Sequence, residues 1–298
     1  MKPNQTAAIA LTLVIGSFLA GCGSKSSTTG PSTSVQDHTV WALAGMKGIV
    51  RTFDLSKDTV ALDSMVLDTV PLTGISGEKV AQDQGVAWTG SSNGSVMKIN
   101  STPADSMSID TILQLGPAAE GPVTWMSARN AKLWATTRTT GQTPRLHLVD
   151  PAINAVTATI PFGTATAVCY GLDATPTAAW VLTGDTLVLS KVDAATRVIT
   201  ATVALGRNPA DTAGPRGRFP GKGALALWGT IGYVYDSDHG TLITIDLNNA
   251  AVTKSVQVPG FTGQMELIAA SGAGVFITTR TMSIAPTALR FSSEQPET

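Results

Sequence analysis

Runs in which apolar and polar residues alternate recur along most of this chain, and the clearest of them spans residues 145–161. Apolar side chains occupy alternate positions before Asp150 and again before Pro161, which is the period of half-buried β-strands. An Asp-Pro pair and Asn154 separate the two runs, and these residue types favour turns. The stretch predicts a hairpin: a strand that ends at Asp150, a turn over 151–154, and a second strand that ends at Pro161.

Two columns of residues show that this hairpin belongs to a longer repeat. A polar residue closes one strand of each unit, at Asp54, Asn100, Asp150, Asp193 and Asp246. An aromatic residue lies in the strand before it, at Trp41, Trp88, Trp134, Trp180, Tyr233 and Phe276. Successive aromatics are 47, 46, 46, 53 and 43 residues apart, so both columns share one period.

A period in the forties, filled with short strands, is typical of the blades of a β-propeller, each with four antiparallel strands. The fifth unit shows its four strands at 224–228, 231–235, 241–246 and 251–258, with Gly, Asn and Asp in the turns between them. No helical period with caps follows residue 36. We therefore predict an all-β propeller over residues 37–298.

The strand count gives about six blades, and seven is the alternative if one blade is degenerate. About 22 strands can be placed, with the first unit lacking its inner strand and the last unit lacking its outer one. A single sheet cannot bury both of its faces, so the blades must pack against one another.

The two columns are expected to have structural roles. A large ring in each blade is predicted to pack against the next blade, and a ligand pocket lined by Trp is the alternative. Each turn Asp is predicted to accept hydrogen bonds from backbone N–H groups just ahead of it. The alternative, a metal or catalytic site, needs several acids to converge, whereas these acids occur singly in separate blades.

The N-terminus has a different composition from the repeats. Lys2 precedes an apolar run over residues 7–20 that is short for a membrane span, and the run ends in Leu19-Ala20-Gly21-Cys22. This ending resembles a bacterial lipobox, which implies a signal peptide over residues 1–21 and lipid on Cys22. An ordinary signal peptide or a short membrane helix is the alternative.

The lipobox resemblance implies a location in the bacterial cell envelope, anchored in the lipid bilayer. Gly23 stands where an Asp favours retention in the inner membrane, so the outer membrane or the cell surface is favoured. Residues 22–36 are rich in Ser, Thr and Gly and are expected to form a flexible linker. With Cys22 lipidated, Cys169 has no partner for an intrachain disulfide, and its apolar neighbours predict a buried core thiol.

The residues from Val149 to Gly163 read Val-Asp-Pro-Ala-Ile-Asn-Ala-Val-Thr-Ala-Thr-Ile-Pro-Phe-Gly. This pattern resembles the repeat of the YVTN family, also called YncE-like β-propellers, whose blades commonly read Ile-Asp, a short turn, and Val-x-Ala-Thr-Ile-x-Val-Gly. The pattern returns at 192–206 and more loosely at 245–260, and Tyr233-Val-Tyr-Asp236 partly matches the signature of the family. The resemblance implies an exported or surface propeller, and it transfers architecture rather than chemistry.

The sequence contains almost no recognisable catalytic motif. The three histidines lie in different units, and no nucleophile elbow, phosphate loop or dinucleotide fingerprint is present. A net charge of -1 argues against general attraction to nucleic acid. The enzymatic alternative is a metal-dependent, lactonase-like hydrolase at the mouth of the channel, for which Glu120 and Glu266 precede inner strands. Whether the protein is an enzyme stays open, and no metal or cofactor is assigned.

The strongest candidate for a binding surface is the long loop over residues 207–223. It joins an outer strand to the next inner strand, and that connection shares a face with the loops from second to third strands. Arginine forks bind carboxylate or phosphate through two hydrogen bonds. The candidate partner-binding residues are Arg138, Arg207, Arg216, Arg218, Phe219, Lys222 and Arg280.

The non-functional alternative is that this loop is a solvated Gly/Pro segment whose charges keep the protein soluble. The favoured interpretation of the whole chain is a membrane-tethered, extracytoplasmic propeller. It would act as a monomeric binding or scaffolding module for a protein, peptide or glycan partner.

Overall fold

The computed structural model describes residues 39–44, 49–54, 62–66, 79–83, 86–100, 108–117, 121–184, 187–205, 223–237, 239–258, 264–272, 274–280 and 287–291. Side chains are described in most of this part from Lys79 to Ile277. The predicted signal peptide, Cys22 and the linker lie outside the described residues. Within the described part, no helix is long and apolar enough to cross a membrane.

The described residues form 22 β-strands in six antiparallel sheets, which we number as blades 1–6 in chain order. Blade 1 contains β1 (Thr39–Ala44), β2 (Ile49–Asp54) and β3 (Leu62–Val66), and blade 6 contains β20 (Gln264–Ser271), β21 (Gly274–Arg280) and β22 (Thr287–Phe291). The strands of blades 2 and 3 are β4 (Lys79–Asp83), β5 (Val86–Gly90), β6 (Ser95–Asn100), β7 (Ser108–Gln114), β8 (Val123–Arg129), β9 (Lys132–Thr137), β10 (Arg145–Asp150) and β11 (Ala155–Pro161). The strands of blades 4 and 5 are β12 (Cys169–Ala174), β13 (Ala178–Thr183), β14 (Val188–Asp193), β15 (Ile199–Ala204), β16 (Gly223–Trp228), β17 (Ile231–Asp236), β18 (Thr241–Asp246) and β19 (Ala251–Gln257).

The hairpin that the alternating pattern predicts is present with its expected boundaries. Strand β10 ends at Asp150, β11 ends at Pro161, and the two pair in antiparallel fashion around a turn over 151–154. Asn154 closes this turn with a φ of 49°, in the left-handed region that Asn tolerates. The third and fourth strands of blades 2–5 all carry a register shift just before the turn, so one hairpin geometry is repeated.

The turn aspartates cap their own turns, as the sequence predicts. Asp150 Oδ1 accepts the N–H of Ala152 at 2.9 Å. Asp193 Oδ1 accepts the N–H groups of Ala195 and Thr196 at 3.0 and 2.7 Å, and Asp246 uses the same oxygen in its own turn. These hydrogen bonds lower the pKa of Asp193, chiefly through Thr196. Asp150, Asp193 and Asp246 therefore stabilise the turns of their own hairpins.

Four members of the aromatic column pack between blades, which confirms the structural interpretation for those four; the side chain of Trp41 lies outside the described part. Trp88, Trp134 and Trp180 are each 1% exposed. Each belongs to a separate apolar cluster that joins its own blade to the next one along the chain. Tyr233 belongs to a fourth cluster, which joins blades 5 and 6. Every blade from 2 to 5 thus buries one face against the blade that follows it.

The inner strands of blades 3 and 4 run parallel to each other. Trp125 Nε1 donates to Cys169 O at 3.0 Å, and two residues further along β8 the Ser127 hydroxyl donates to Asp173 Oδ1 at 2.9 Å. The contacts advance along both strands together, which is the arrangement of neighbouring inner strands around a propeller axis.

Blades 4 and 5 repeat this relation. A Cβ built on Gly171 would lie 2.8 Å from Leu225 Cβ, and Asp173 Oδ2 accepts the N–H of Leu227 at 2.8 Å. The absence of a side chain at Gly171 lets the two inner strands approach this closely. Strands β4 and β20 contact β8 and β16 as inner strands in the same way.

The first and last blades contain three strands each in the described part of the chain. Strands β1 and β4 make few contacts with each other. The second strands β5, β9 and β13 make similarly few contacts with the inner strand of the blade that follows. This contact agrees with Trp41 being the second-strand aromatic of blade 1 and with Asp54 closing its third strand. The described strands of blade 1 are therefore the second, third and outer ones, as the sequence predicts.

Candidate binding face

Strand direction places Arg138, Arg280 and the two strand ends that flank residues 206–222 at one face of the propeller. Because the inner strands run parallel, they all begin at the same face, and the second strands end there. We call this face the loop face; it carries the ends of β5, β9, β13, β17 and β21 and the starts of β4, β8, β12, β16 and β20. Arg138 follows β9 directly, Arg280 ends β21, and residues 206–222 connect β15 to β16 at this face.

The structure describes only part of the predicted set. Arg138 is described in full, and Arg280 is described as the last residue of β21 without its side chain. The remaining candidates lie outside the described residues: Arg207, Arg216, Arg218, Phe219 and Lys222. Their role in binding stays a prediction.

Arg138 is held in place by its backbone, whereas one donor of its side chain, Nε, has no hydrogen-bond partner. Its N–H bonds Pro122 O at 3.3 Å, and the neighbouring Thr139 hydroxyl accepts the N–H of Gly121 at 2.8 Å. A Cβ on Gly121 would lie 2.0 Å from Arg138 O, so only glycine permits this approach. Arg138 Nε is buried and has no hydrogen-bond partner. A buried guanidinium N–H without an acceptor is an unused donor on the loop face.

Lys79 is a second cation near the loop face, at the start of the inner strand of blade 2. Lys79 Nζ is 4.1 Å from the centre of the Trp125 ring, so the first residue of β4 reaches across to β8. The Trp125 indole N–H donates to Cys169 O, which ties the ring to blade 4. Both side chains are half-buried. This contact is a cation–π pair at the entrance of the central channel.

Cys169 itself is chemically inert in this setting. The thiol is buried, and burial raises its pKa to about 12. A thiol with so high a pKa carries almost no thiolate at neutral pH and is a poor nucleophile or metal ligand. The sequence prediction of a buried core thiol is confirmed.

An Asp–His pair on the loop face was not anticipated from the sequence. His239 Nδ1 and Asp236 Oδ2 are 2.7 Å apart, at the turn after β17. Asp236 is 4% exposed and pairs with Gly223, the first residue of β16. The spacing Asp236-x-x-His239 across a turn was the available signal, because two residues of a tight turn can meet side by side. With one acid and one imidazole, the pair orders the turn after β17.

The other described histidine is structural. His147 is fully buried in β10, and its two ring nitrogens lie 2.9 Å from the Thr137 hydroxyl and 3.1 Å from the Thr159 hydroxyl. Both nitrogens are satisfied by neighbouring strands of the same blade, so the ring is locked within the sheet.

The residues for the hydrolase alternative are not assembled in the described part of the chain. No group of three or more His, Cys, Asp or Glu side chains there could hold a metal ion. Glu120 lies outside the described residues, and Glu266 lies within β20 rather than before it, with its side chain not described.

Comparison with known proteins supports the fold. No protein-family model matches the chain, and a search of curated proteins gives no match. A chain in the crystal structure of the mitotic checkpoint complex is 14% identical, with a TM-score of 0.61 over 85% of this chain and 71% of its own length.

Two structures of AztD from Citrobacter koseri, one of them the apo form, are 17% and 18% identical with a TM-score of 0.49. This chain spans 60% of the length of the AztD chains that it matches, and the match covers 75% of this chain. At these identities the structural likeness concerns the fold alone. The chain is a β-propeller; its membership of the YVTN family stays a prediction.

Proposed function

We propose that this protein is a membrane-tethered, extracytoplasmic β-propeller that binds an acidic protein, peptide or glycan through its loop face. The observation that carries the proposal is topological. Strand direction brings Arg138, the end of β21 and both ends of the basic segment 206–222 to one face of the propeller. Oxyanion-bearing partners match guanidinium groups by charge and by planar geometry.

Two other features of the described blades have structural roles. The opposite face carries the turns capped by Asp150, Asp193 and Asp246, and the aromatic column is buried between blades. Functional residues are commonly carried by loops on a rigid scaffold. The loop face is therefore the surface on which we place the partner.

The tether is the second part of the proposal. The lipobox-like ending at Cys22 supports lipidation of that cysteine and anchoring in the bacterial envelope, at the outer membrane or the cell surface. Replacing Cys22→Ser is expected to move the protein from the membrane fraction to the soluble fraction and to abolish labelling by radioactive palmitate. Wild-type and variant protein labelled and fractionated equally would overturn the tether.

Binding is tested with the purified full chain and a panel of acidic probes: polyglutamate, polyaspartate and polygalacturonate. Wild type is expected to bind at least one probe, and the Arg216→Ala/Arg218→Ala variant is expected to bind it at least tenfold more weakly. The matched control, Arg197→Ala/Lys254→Ala, removes two exposed cations elsewhere and should bind as wild type does. Failure of every probe, or equal loss in both double variants, would contradict binding at the loop face.

A further inference from the structure

We infer that the face opposite the loop face is the membrane-facing surface of this protein, and that it rests on a zwitterionic lipid bilayer through exposed apolar side chains of blades 3 and 4. The inference rests on the tether of the proposed function and specifies how the tethered propeller is oriented. In this orientation the loop face points away from the membrane, toward partners in the surrounding medium.

The chain enters the propeller at this opposite face. Strand β1 begins at Thr39, which pairs with Asp54 at the end of β2. In blades 2, 4 and 5 the first residue of the second strand likewise pairs with the last residue of the third strand: Val86 with Asn100, Ala178 with Asp193, and Ile231 with Asp246. Since the turns that follow the third strands lie at the opposite face, the start of β1 lies there too.

The register of β1 supports its assignment as a second strand. Trp41 pairs with Thr52, which lies two residues before Asp54. In blades 2–5 the aromatic residue of the second strand also pairs with the residue two positions before the polar residue that closes the third strand. Second strands run from the opposite face to the loop face, so this register fixes the direction of β1.

The length of chain between the proposed lipid and this entry point favours one orientation. Cys22 precedes Thr39 by 17 residues, which span at most about 60 Å when fully extended. Strand β1 has six residues and is about 20 Å long, and neighbouring strands lie about 4.8 Å apart. To bring the loop face to the bilayer, the segment would have to pass outward over blade 1 and then along the whole length of its strands. That detour uses much of the available reach, whereas the opposite face needs none of it.

Exposed apolar side chains gather at the opposite face. Ile153 is 66% exposed in the turn of blade 3, and Val198 is 53% exposed in the turn of blade 4. The hairpins of these blades contact each other, since Arg197 Nη1 donates to Thr157 O at 2.8 Å. Four of the six exposed large apolar side chains in the described part lie in such turns or at the first two positions of the strands after them. Apolar side chains at this place lose contact with water when they enter the acyl boundary of a bilayer.

The charges of this face indicate the kind of lipid. Its described side chains include four aspartates and three cations: Asp83, Asp150, Asp193, Asp246, Arg129, Lys132 and Arg197. A surface without an excess of positive charge is not attracted to anionic headgroups. The contact therefore depends on the apolar side chains and suits zwitterionic lipid. Two such side chains bind weakly on their own, and the tether makes the contact intramolecular by holding the face close to the bilayer.

The experiment uses the purified full chain with its lipid, reconstituted in phosphatidylcholine vesicles that contain a nitroxide-labelled lipid. It measures how strongly the nitroxide quenches a fluorophore on one introduced cysteine; Cys169 is buried, so the label goes to the introduced residue. Four exposed positions are compared, two at the opposite face and two at the loop face: Ala152→Cys and Ala195→Cys against Gln142→Cys and Thr166→Cys. We expect at least threefold stronger quenching at the opposite face.

The apolar side chains are tested in the Ala195→Cys protein. Ile153→Ser/Val198→Ser is expected to reduce the quenching at least threefold. The matched control, Ile112→Ser/Val256→Ser, removes two exposed apolar side chains elsewhere and should leave it unchanged. Adding phosphatidylglycerol to the vesicles is expected to weaken the quenching, and stronger quenching would overturn the assignment to a zwitterionic surface.

The outcomes separate the inference from the proposed function. If the wild-type chain does not float with the vesicles, the tether of the proposed function fails. If the chain floats with them but the loop-face labels are quenched as strongly as those of the opposite face, the orientation is overturned and the tether stands. Equal quenching in both serine double variants would overturn the role of Ile153 and Val198. Circular dichroism of each variant establishes that it is folded.

Discussion

Thr89 is a fully buried threonine whose hydroxyl makes no hydrogen bond. It follows Trp88 in β5, and the residues at the same position of blades 3, 4 and 5 are Ala135, Val181 and Val234. The repeat thus tolerates a purely apolar side chain at this place. An unsatisfied buried hydroxyl is destabilising, since it has lost water without gaining a partner.

Replacing Thr89→Val is therefore expected to raise the free energy of unfolding by about 1 kcal/mol, because the isosteric side chain has no polar atom to satisfy. Urea unfolding measures the change. The matched control is Thr136→Val: Thr136 is equally buried, but its hydroxyl lies 2.8 Å from the Thr124 hydroxyl. That variant is expected to lose stability. Equal effects of both substitutions would show that the orphaned hydroxyl is irrelevant.

Asp173 joins three blades through one carboxylate. Its oxygens accept the Ser127 hydroxyl from blade 3 and the N–H of Leu227 from blade 5. Burial raises the pKa of Asp173 above its usual 3.8, although these hydrogen bonds and the charge of Arg129 oppose the shift. The stabilisation linked to this group is thus complete below pH 3.8 and is lost as pH rises through the raised pKa.

The prediction is a comparison of wild type with Asp173→Asn, which cannot titrate. The free energy of unfolding of wild type, relative to the variant, should fall as pH rises from 3.8 through the raised pKa, and stay level above it. Urea unfolding over a pH series measures the difference. A difference that rises with pH in this window would contradict the account of a desolvated carboxylate.

Among the elements of the fold, the hairpin between the third and fourth strands of blade 4 contains a carboxylate whose pKa is lowered. Its contribution to stability therefore depends on pH in the opposite sense to that of Asp173. Hydrogen bonds from Thr196 lower the pKa of Asp193 below 3.8. Its stabilisation is therefore complete above pH 3.8 and is lost as pH falls through the lowered pKa. Asp193→Ala should destabilise the protein at neutral pH, and the difference from wild type should shrink in acid.

Thermal melts at pH 7 and at pH 3 measure this effect of Asp193. Asp193→Asn is the control, because its side-chain oxygen can still accept the N–H groups of Ala195 and Thr196. We expect it to recover most of the stability at neutral pH. An Asp193→Ala penalty that is unchanged in acid would show that the ionised carboxylate does not cap this turn.

Strand boundaries followed from the sequence because local chemistry sets them. The four strands of blade 5 were predicted within one residue of the observed ends at each boundary. Turn residues such as Asp246 and the residues after it act over three or four positions, so the sequence contains the whole cause. The aromatic column was predictable for the same reason, since its period is visible without any knowledge of contacts.

The contacts that define the candidate site were not predictable in this way. Lys79 and Trp125 are brought together by the packing of blade 2 on blade 3, and Trp125 meets Cys169 across the next interface. Nothing in the local sequence of β4 or β8 marks either contact. The face on which Arg138 lies could be predicted from the number and direction of the strands. That its Nε is buried without a hydrogen-bond partner could not, because this depends on the packing around the side chain.

At the scale of the whole molecule, the described blades form one connected framework. The inner strands are joined by hydrogen bonds between blades, and four apolar clusters join successive blades from 2 to 6. Such a framework holds loop residues from separate blades at fixed positions. For the proposed binding function, we predict a ligand that stabilises the folded state without a metal.

The most direct test of this claim is a thermal-shift series on the full chain with calcium, other divalent metals, a chelator and hexaglutamate peptide. A ligand that binds only the native state adds about 2.7 kcal/mol at 100 times its dissociation constant. We predict a saturable rise in melting temperature with the acidic peptide and no response to metals or chelator. A calcium-specific rise that the chelator reverses, without a response to the peptide, would contradict the account and favour a metal-dependent hydrolase.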